Sequence, residues 1–188
     1  RCETPSHADF GYLPAVLLRD PVHGLISFAP RDPANPADPH RLLVRLLDTR
    51  EVQRLRRIRA MGLASLAYPG SEHSRFAHVV GSTHVMQRYL ARVASLALEL
   101  PEHERIDDYW AAVGMAAALL HDLGHGPLSH TFEGLHPDAP RHEAWTSKIV
   151  LDEQTEVHAV LAAFDSRAAR DVERLVHGEC PIRHLARA

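Results

Sequence analysis

The stretch Ala116-Ala117-Ala118-Leu119-Leu120-His121-Asp122-Leu123-Gly124-His125-Gly126-Pro127-Leu128-Ser129-His130-Thr131-Phe132-Glu133 decides the fold. Five apolar residues, read as the end of a buried helix, run into three histidines and two carboxylates. Buried imidazoles and carboxylates are costly unless they are paired or bound to a cation. Their density at the end of a core helix predicts a metal site with proton-transfer groups beside it.

Upstream, Asp107 or Asp108 is placed to cap this helix, and Pro101 ends the one before it. That earlier helix starts at Ser71 or Ser74 and runs to about Leu100. Its apolar residues Phe76, Val79, Val80, Met86, Leu90, Val93, Leu96 and Leu100 keep helical spacing. Arg75 and His78, three apart, share a face near its start. Further back, from Leu42, the residues Leu42, Leu43, Leu46 and Leu47 form one apolar helical face. Asp48 or Thr49 caps a following helix, lined on one side by Val52, Leu55, Ile58 and Met61 and ended by Gly62. Arg19 to Phe28 reads as a turn and a short strand or hairpin. Residues 1–18 read as a loosely attached N-terminal segment, and the prolines from Pro30 to Pro39 mark an exposed loop.

Downstream, Gly124 and Gly126 bend the backbone. Pro127 suits the first turn of a short helix with His130 and Glu133 on one side. Pro137 and Pro140 bound a loop, and Arg141-His142-Glu143 opens a helix through Leu151. Weaker helical stretches follow near 154–164 and 166–177. No alternating strand-rich block is present. The fold class is all-α, a single domain with a short N-terminal strand or hairpin.

At 188 residues the chain has the size of one domain. A net charge of −3 gives no global basic field for nucleic acid. Cys2 and Cys180 alone support neither a disulfide framework nor a thiolate zinc site. That composition fits a reducing cytoplasm, and no apolar run approaches the roughly 20 residues of a membrane span. The chain opens Arg1-Cys2-Glu3, without Met and without a leader pattern, and is read as a processed or cut piece of something longer.

His121 and Asp122 are adjacent. Neighbours on a helix point about 100° apart, so the two converge on one ion only where the helix end relaxes. An imidazole and carboxylate set suits Zn, Mn, Fe or Ni, with Mg weaker. A third ligand must come from elsewhere, and His78, flanked by apolar residues, is the best candidate. Taken alone it would read as an ordinary partly buried histidine. His125, His130 and Glu133 read as proton-transfer groups, because histidine gives and takes protons near neutral pH. His142 lines the same cleft or opens a surface helix. No histidine stands four residues beyond it, so the zincin pattern is absent. Arg75 clamps a phosphate bidentately or forms a salt bridge to a carboxylate. Arg50, Arg54, Arg56, Arg57 and Arg59 form a solvated face or a surface for nucleic acid.

Five motifs together carry a family resemblance. They are Asp20-Pro21-Val22-His23-Gly24, Asp48-Thr49-Arg50-Glu51-Val52-Gln53-Arg54-Leu55-Arg56, Tyr68-Pro69-Gly70 with His73, Ser74-Arg75-Phe76-Ala77-His78, and the His121 to His130 stretch. In this order and spacing, over about residues 19–178, the chain resembles the HD-domain metal-dependent phosphohydrolases. It is most similar to their deoxynucleoside triphosphate triphosphohydrolase branch.

The resemblance implies a helical HD domain over residues 19–188, lacking the family's downstream C-terminal helices. It implies metal ligation by His78, His121 and Asp122, and substrate-phosphate contacts by Arg75, His125 and His130. His142 is implied as catalytic, and Glu133 as an acidic partner of His125. The implied reaction releases the deoxynucleoside and intact triphosphate, with a divalent metal as Lewis acid and a protonated histidine assisting the departing 5′-oxygen.

Three departures qualify it. The family's fourth ligand is a downstream aspartate. Asp165 and Asp171 lack its surrounding motif, so a three-ligand site would bind more weakly or borrow an aspartate from a partner chain. Ala60 stands where the branch often has a glutamine against the sugar, and residues 31–40 form an added proline-rich loop. Asp48, Gln53 and Arg56 resemble residues that contact a regulatory nucleotide at a subunit interface. The expected partners are a nucleotide substrate, further copies of the chain and, through the arginines, nucleic acid, with no membrane. Two other readings compete: an HD enzyme acting on another nucleotide phosphoester, and a catalytically weak module that binds nucleotide or nucleic acid.

Overall fold

A computed structural model describes residues 15–30, 32, 35, 38–96, 99–135, 138–180 and 185. Most of the segment read as loosely attached, residues 1–14, lies outside them, as do Ala97, Leu98 and Pro137 and much of the proline-rich loop. The first described element is a hairpin of β1 (Val16–Asp20) and β2 (Gly24–Phe28), paired from Val16↔Phe28 to Asp20↔Gly24. Asp20 Oδ1 accepts the backbone N–H groups of Val22 and His23, and Gly24 takes a positive φ, so this sequence closes the turn. Ile26 and Phe28, on one face of β2, are fully buried.

The rest is helical. Asp38 caps α1 (Pro39–Leu47) by accepting from the His40 N–H, with Pro39 at the position that needs no donor. The chain turns helical three residues before the expected Leu42. The helix α2 (Arg50–Arg54) is shorter than expected and passes through a 3₁₀ turn, Leu55–Arg57. Ile58 is extended instead of helical because its backbone is drawn into other bonds. Arg75 N–H donates to the Ile58 carbonyl, and Ala60 N–H to that of His73. Val52, Leu55 and Ile58 remain buried, but Met61 is half exposed, outside the expected stripe. Gly62 does not end a helix. It takes a φ of +55°, and a Cβ there would stand 2.6 Å from the Leu128 carbonyl oxygen.

Ser74 caps α3 (Arg75–Ser95) by accepting from the Ala77 N–H. This helix ends at Ser95, five residues short of the expected Leu100. Asp107 caps α4 (Asp108–Leu120) in the same way, through the Trp110 N–H. From Ala112 to Leu120 every residue of α4 except Ala118 is buried, because α1, α3 and a later helix surround it. Each fully buried leucine there contributes roughly 1.5–3 kcal/mol. The short α5 (His130–Leu135) starts later than expected. Pro127 lies in a turn ahead of it, where Leu128 and Ser129 both take left-handed backbone angles. Of the remaining helices, α6 (His142–Leu151), α7 (Glu156–Phe164) and α8 (Ala168–Val176), α8 packs on α4 and the three pack on one another. None of the described helices is long and apolar enough to cross a membrane.

Candidate metal centre

The site forms where the N-terminus of α3 meets the C-terminus of α4. The Ser74 cap fixes the start of α3, so Arg75 and His78 stand one turn apart at its mouth. His121 ends α4 with helical backbone angles and its N–H on the Ala117 carbonyl. The chain then turns through residues 121–124, pinned by the fully buried Leu123. That turn removes the angular conflict between neighbouring helical residues. His78 Nε2 lies 3.3 Å and His121 Nε2 3.5 Å from Asp122 Oδ2.

The donor atoms of His78, His121 and Asp122 lie within 4.8 Å of one another, so one cation could take all three. His121 Nδ1 is 3.0 Å from the Ala118 carbonyl. This contact puts the ring proton on Nδ1 and leaves the Nε2 lone pair for a metal. Burial, opposed by Asp122, pushes the His121 pKa down and keeps it in the neutral form that metals bind. At Asp122 burial opposes the charge, but His125, His78, His121 and Arg75 outweigh it and hold the carboxyl far below the usual carboxylate range. These donors fit a divalent metal of the mixed nitrogen and oxygen class. Asp165 and Asp171 are engaged elsewhere: Asp165 pairs with Arg167, and Asp171 accepts from the Tyr109 hydroxyl at 2.6 Å.

Arg75 is buried and its guanidinium is shared three ways. It donates through Nη1 to Asp122 Oδ2, through Nε to Ser129 Oγ at 3.1 Å and through Nη2 to the Ala60 carbonyl at 3.2 Å. Of the two roles open to Arg75, the structure displays the salt bridge. Ser129 donates in turn to the Arg59 carbonyl at 2.8 Å. Its left-handed backbone explains why Pro127 does not open the helix.

Four further groups gather on the other side of Asp122. Glu133 Oε1 is 2.7 Å from His142 Nδ1, and Oε2 is 3.1 Å from His130 Nδ1. Burial acts against the Glu133 charge, but His130 and the His142 backbone and ring prevail and bring its pKa down to about 2. An ionised Glu133 therefore accepts Nδ1 protons from both rings, and Nε2 is left as the exchanging nitrogen of each. The His125 ring stacks on His142 at 3.8 Å and 13°. Burial lowers its pKa, and neither of its ring nitrogens completes a hydrogen bond among the described residues. The donor atoms of His125, His130, Glu133 and His142 also lie close together. Two nearly parallel stacked rings, however, cannot both aim in-plane lone pairs at one ion. This group is better suited to moving protons than to holding a metal.

A cleft of about 730 Å³ adjoins His78 and His121, walled by Pro21, Val22, Gly81 and Val85. The sequence reading missed Ser129 and Arg54. Arg54 donates from Nη2 to the Leu123 carbonyl at 2.6 Å, inside the metal-bearing turn. Neither residue carries a local signal: Ser129 lies within a turn, and Arg54 is one arginine of a crowded face.

No protein-family model matches the chain. Three relatives do. The uncharacterized protein YwfO of Bacillus subtilis is 38% identical over 161 residues, covering 85% of this chain and 33% of that protein. The deoxynucleoside triphosphate triphosphohydrolase SAMHD1 of Bos taurus is 37% identical over 131 residues, covering 69% of this chain and 20% of that one. A crystal structure of a phosphohydrolase from Bacteroides thetaiotaomicron superimposes with a TM-score of 0.66 and 28% identity, over 90% of this chain and 37% of its own. The chain thus spans a fifth to about a third of the length of these two curated relatives. With its helical fold and its paired histidine and aspartate at the end of the core helix, the chain belongs to the HD-domain phosphohydrolases.

Proposed function

We propose that the chain is the metal-binding part of a phosphohydrolase that cleaves deoxynucleoside triphosphates to deoxynucleoside and triphosphate. The observation that carries this reading is the division of labour around Asp122. One side offers three convergent ligand atoms, His78 Nε2, His121 Nε2 and a carboxylate oxygen. The other offers two histidines oriented by one ionised glutamate. His78, His121 and Asp122 would hold a divalent metal, which would supply Lewis-acid chemistry at the phosphate. Arg75 holds the Asp122 carboxylate. Of its five N–H groups, the two left over by its three bonds are available to substrate phosphate oxygens. His125 and His130 contact phosphate, and His142 Nε2 delivers a proton to the departing oxygen while Glu133 holds its Nδ1 proton. The substrate class rests on likeness to SAMHD1, which is named for it.

A second reading has one observation in its favour. Ala60 is buried, and its backbone is engaged by Arg75 and His73. A methyl group there cannot hydrogen-bond a sugar, which favours an HD phosphohydrolase on another nucleotide phosphoester. A panel of ribo- and deoxyribonucleotides, with Mn, Fe, Zn, Ni and Mg supplied in turn and phosphorus products identified, separates the two. Triphosphate released from dNTPs is the expected result. Pyrophosphate or monophosphate as the primary product would overturn the triphosphohydrolase reading.

A further inference from the structure

The turn that bears His121 and Asp122 is clamped to α6 by one side chain, Thr146, which is 1% exposed. Its Oγ1 accepts the Gly124 N–H at 2.9 Å and donates to the His121 carbonyl at 3.2 Å. A single hydroxyl thus closes both ends of the 121–124 turn. The same helix begins with His142, one turn earlier, whose ring meets Glu133 and stacks on His125.

Gly124 supplies an independent sign that this contact is built to a fixed spacing. A Cβ at Gly124 would lie 2.0 Å from the His142 carbonyl oxygen, 2.5 Å from the Thr146 nitrogen and 2.8 Å from the Trp145 Cβ. The backbone of the turn therefore rests directly on the first turn of α6, which only glycine allows.

We propose that Thr146 is a positioning residue that sets the distance and orientation between the metal ligands His121 and Asp122 and the proton-transfer residue His142. It touches neither metal nor substrate. It acts through two backbone groups, one on the His121 side and one on the Gly124 side, and ties them to the helix that starts at His142. The assignment rests on the reading of His78, His121 and Asp122 as metal ligands.

Thr146→Val keeps the shape and removes both bonds, and Thr146→Ser keeps the hydroxyl. Val150→Ala, on the same helix and fully buried, is the control for general loosening. Binding of Mn²⁺ alone is measured by chelator competition, with thermal melting beside it. The expected result for T146V is Mn²⁺ affinity about tenfold weaker, the lower end of what an outer-shell partner contributes. T146S should stay near the parent, and V150A should lose melting temperature but not affinity. T146A gives the same reading should T146V not fold. Unchanged affinity in T146V, or equal losses in T146V and V150A, would overturn the proposal. If the parent binds Mn²⁺ but turns over no nucleotide, the phosphohydrolase reading falls while the metal measurement still decides on Thr146.

Discussion

Two groups of histidines meet around one short stretch of chain but are held in different ways. His78 and His121 are held on α3 and at the end of α4, the two longest of the described helices, with Asp122 buried between them and Arg75 behind it. His130 and His142 are held on a six-residue helix and at a helix start, bridged by Glu133 and in edge-on ring contact, with the His130 side chain 66% exposed. A metal needs donors whose spacing does not vary, and long packed helices supply that. On the proton side only His130 is exposed; His142, at 14%, is more buried than His78 at 40% or His121 at 35%, so the contrast lies in the elements that hold the rings and not in their burial. Asp122 is the junction, with Oδ2 toward His78 and His121 and Oδ1 3.4 Å from His125.

The largest effect that breaks this contrast is His121→Ala. It removes a ligand from the rigid side, and turnover should fall to background in assays with saturating metal. His142→Ala acts on the other side. It should lower kcat by about 10²–10⁴-fold, the usual contribution of a positioned acid or base. Arg75→Ala tests the junction. Because Arg75 holds the Asp122 carboxylate, metal affinity should fall about 10–100-fold, with KM for nucleotide rising as well. An arginine that only clamped phosphate would leave metal affinity unchanged in a chelator titration.

Gly62→Ala should cost roughly 2 kcal/mol or more by denaturant unfolding, from its left-handed backbone and its approach to the Leu128 carbonyl. The smallest effect is a pH dependence of stability at Glu133. Its folded pKa is lowered from 4.5 to about 2. Its stabilisation is fully present above pH 4.5 and is lost as pH falls toward 2. Glu133→Gln should flatten that part of the profile, and the parent slope persisting in the variant would contradict it.

Much of this was legible in the sequence because it depends on local pattern. The Ser74 and Asp107 caps, the apolar body of α4 and the helix from His142 follow from caps and periodicity. The points that escaped depend on distant pairing. Ile58 leaves the helical path because its carbonyl is taken by the Arg75 N–H. Pro127 fails to start a helix because Leu128 and Ser129 turn left-handed beneath Gly62. Arg54, Ser129 and Thr146 support the site through one or two hydrogen bonds each, to backbone or to Arg75, and no spacing rule marks such contacts. The histidines stood out because so many polar groups at the end of an apolar helix demand partners.

The claim at the centre is that one stretch divides into a metal side and a proton side. The most direct measurement is bound divalent metal per chain in His121→Ala and His142→Ala, prepared in parallel with the parent. The account predicts metal lost in the first and retained in the second, with turnover impaired in both. Metal retained in His121→Ala, or lost in His142→Ala to the same degree, would contradict it.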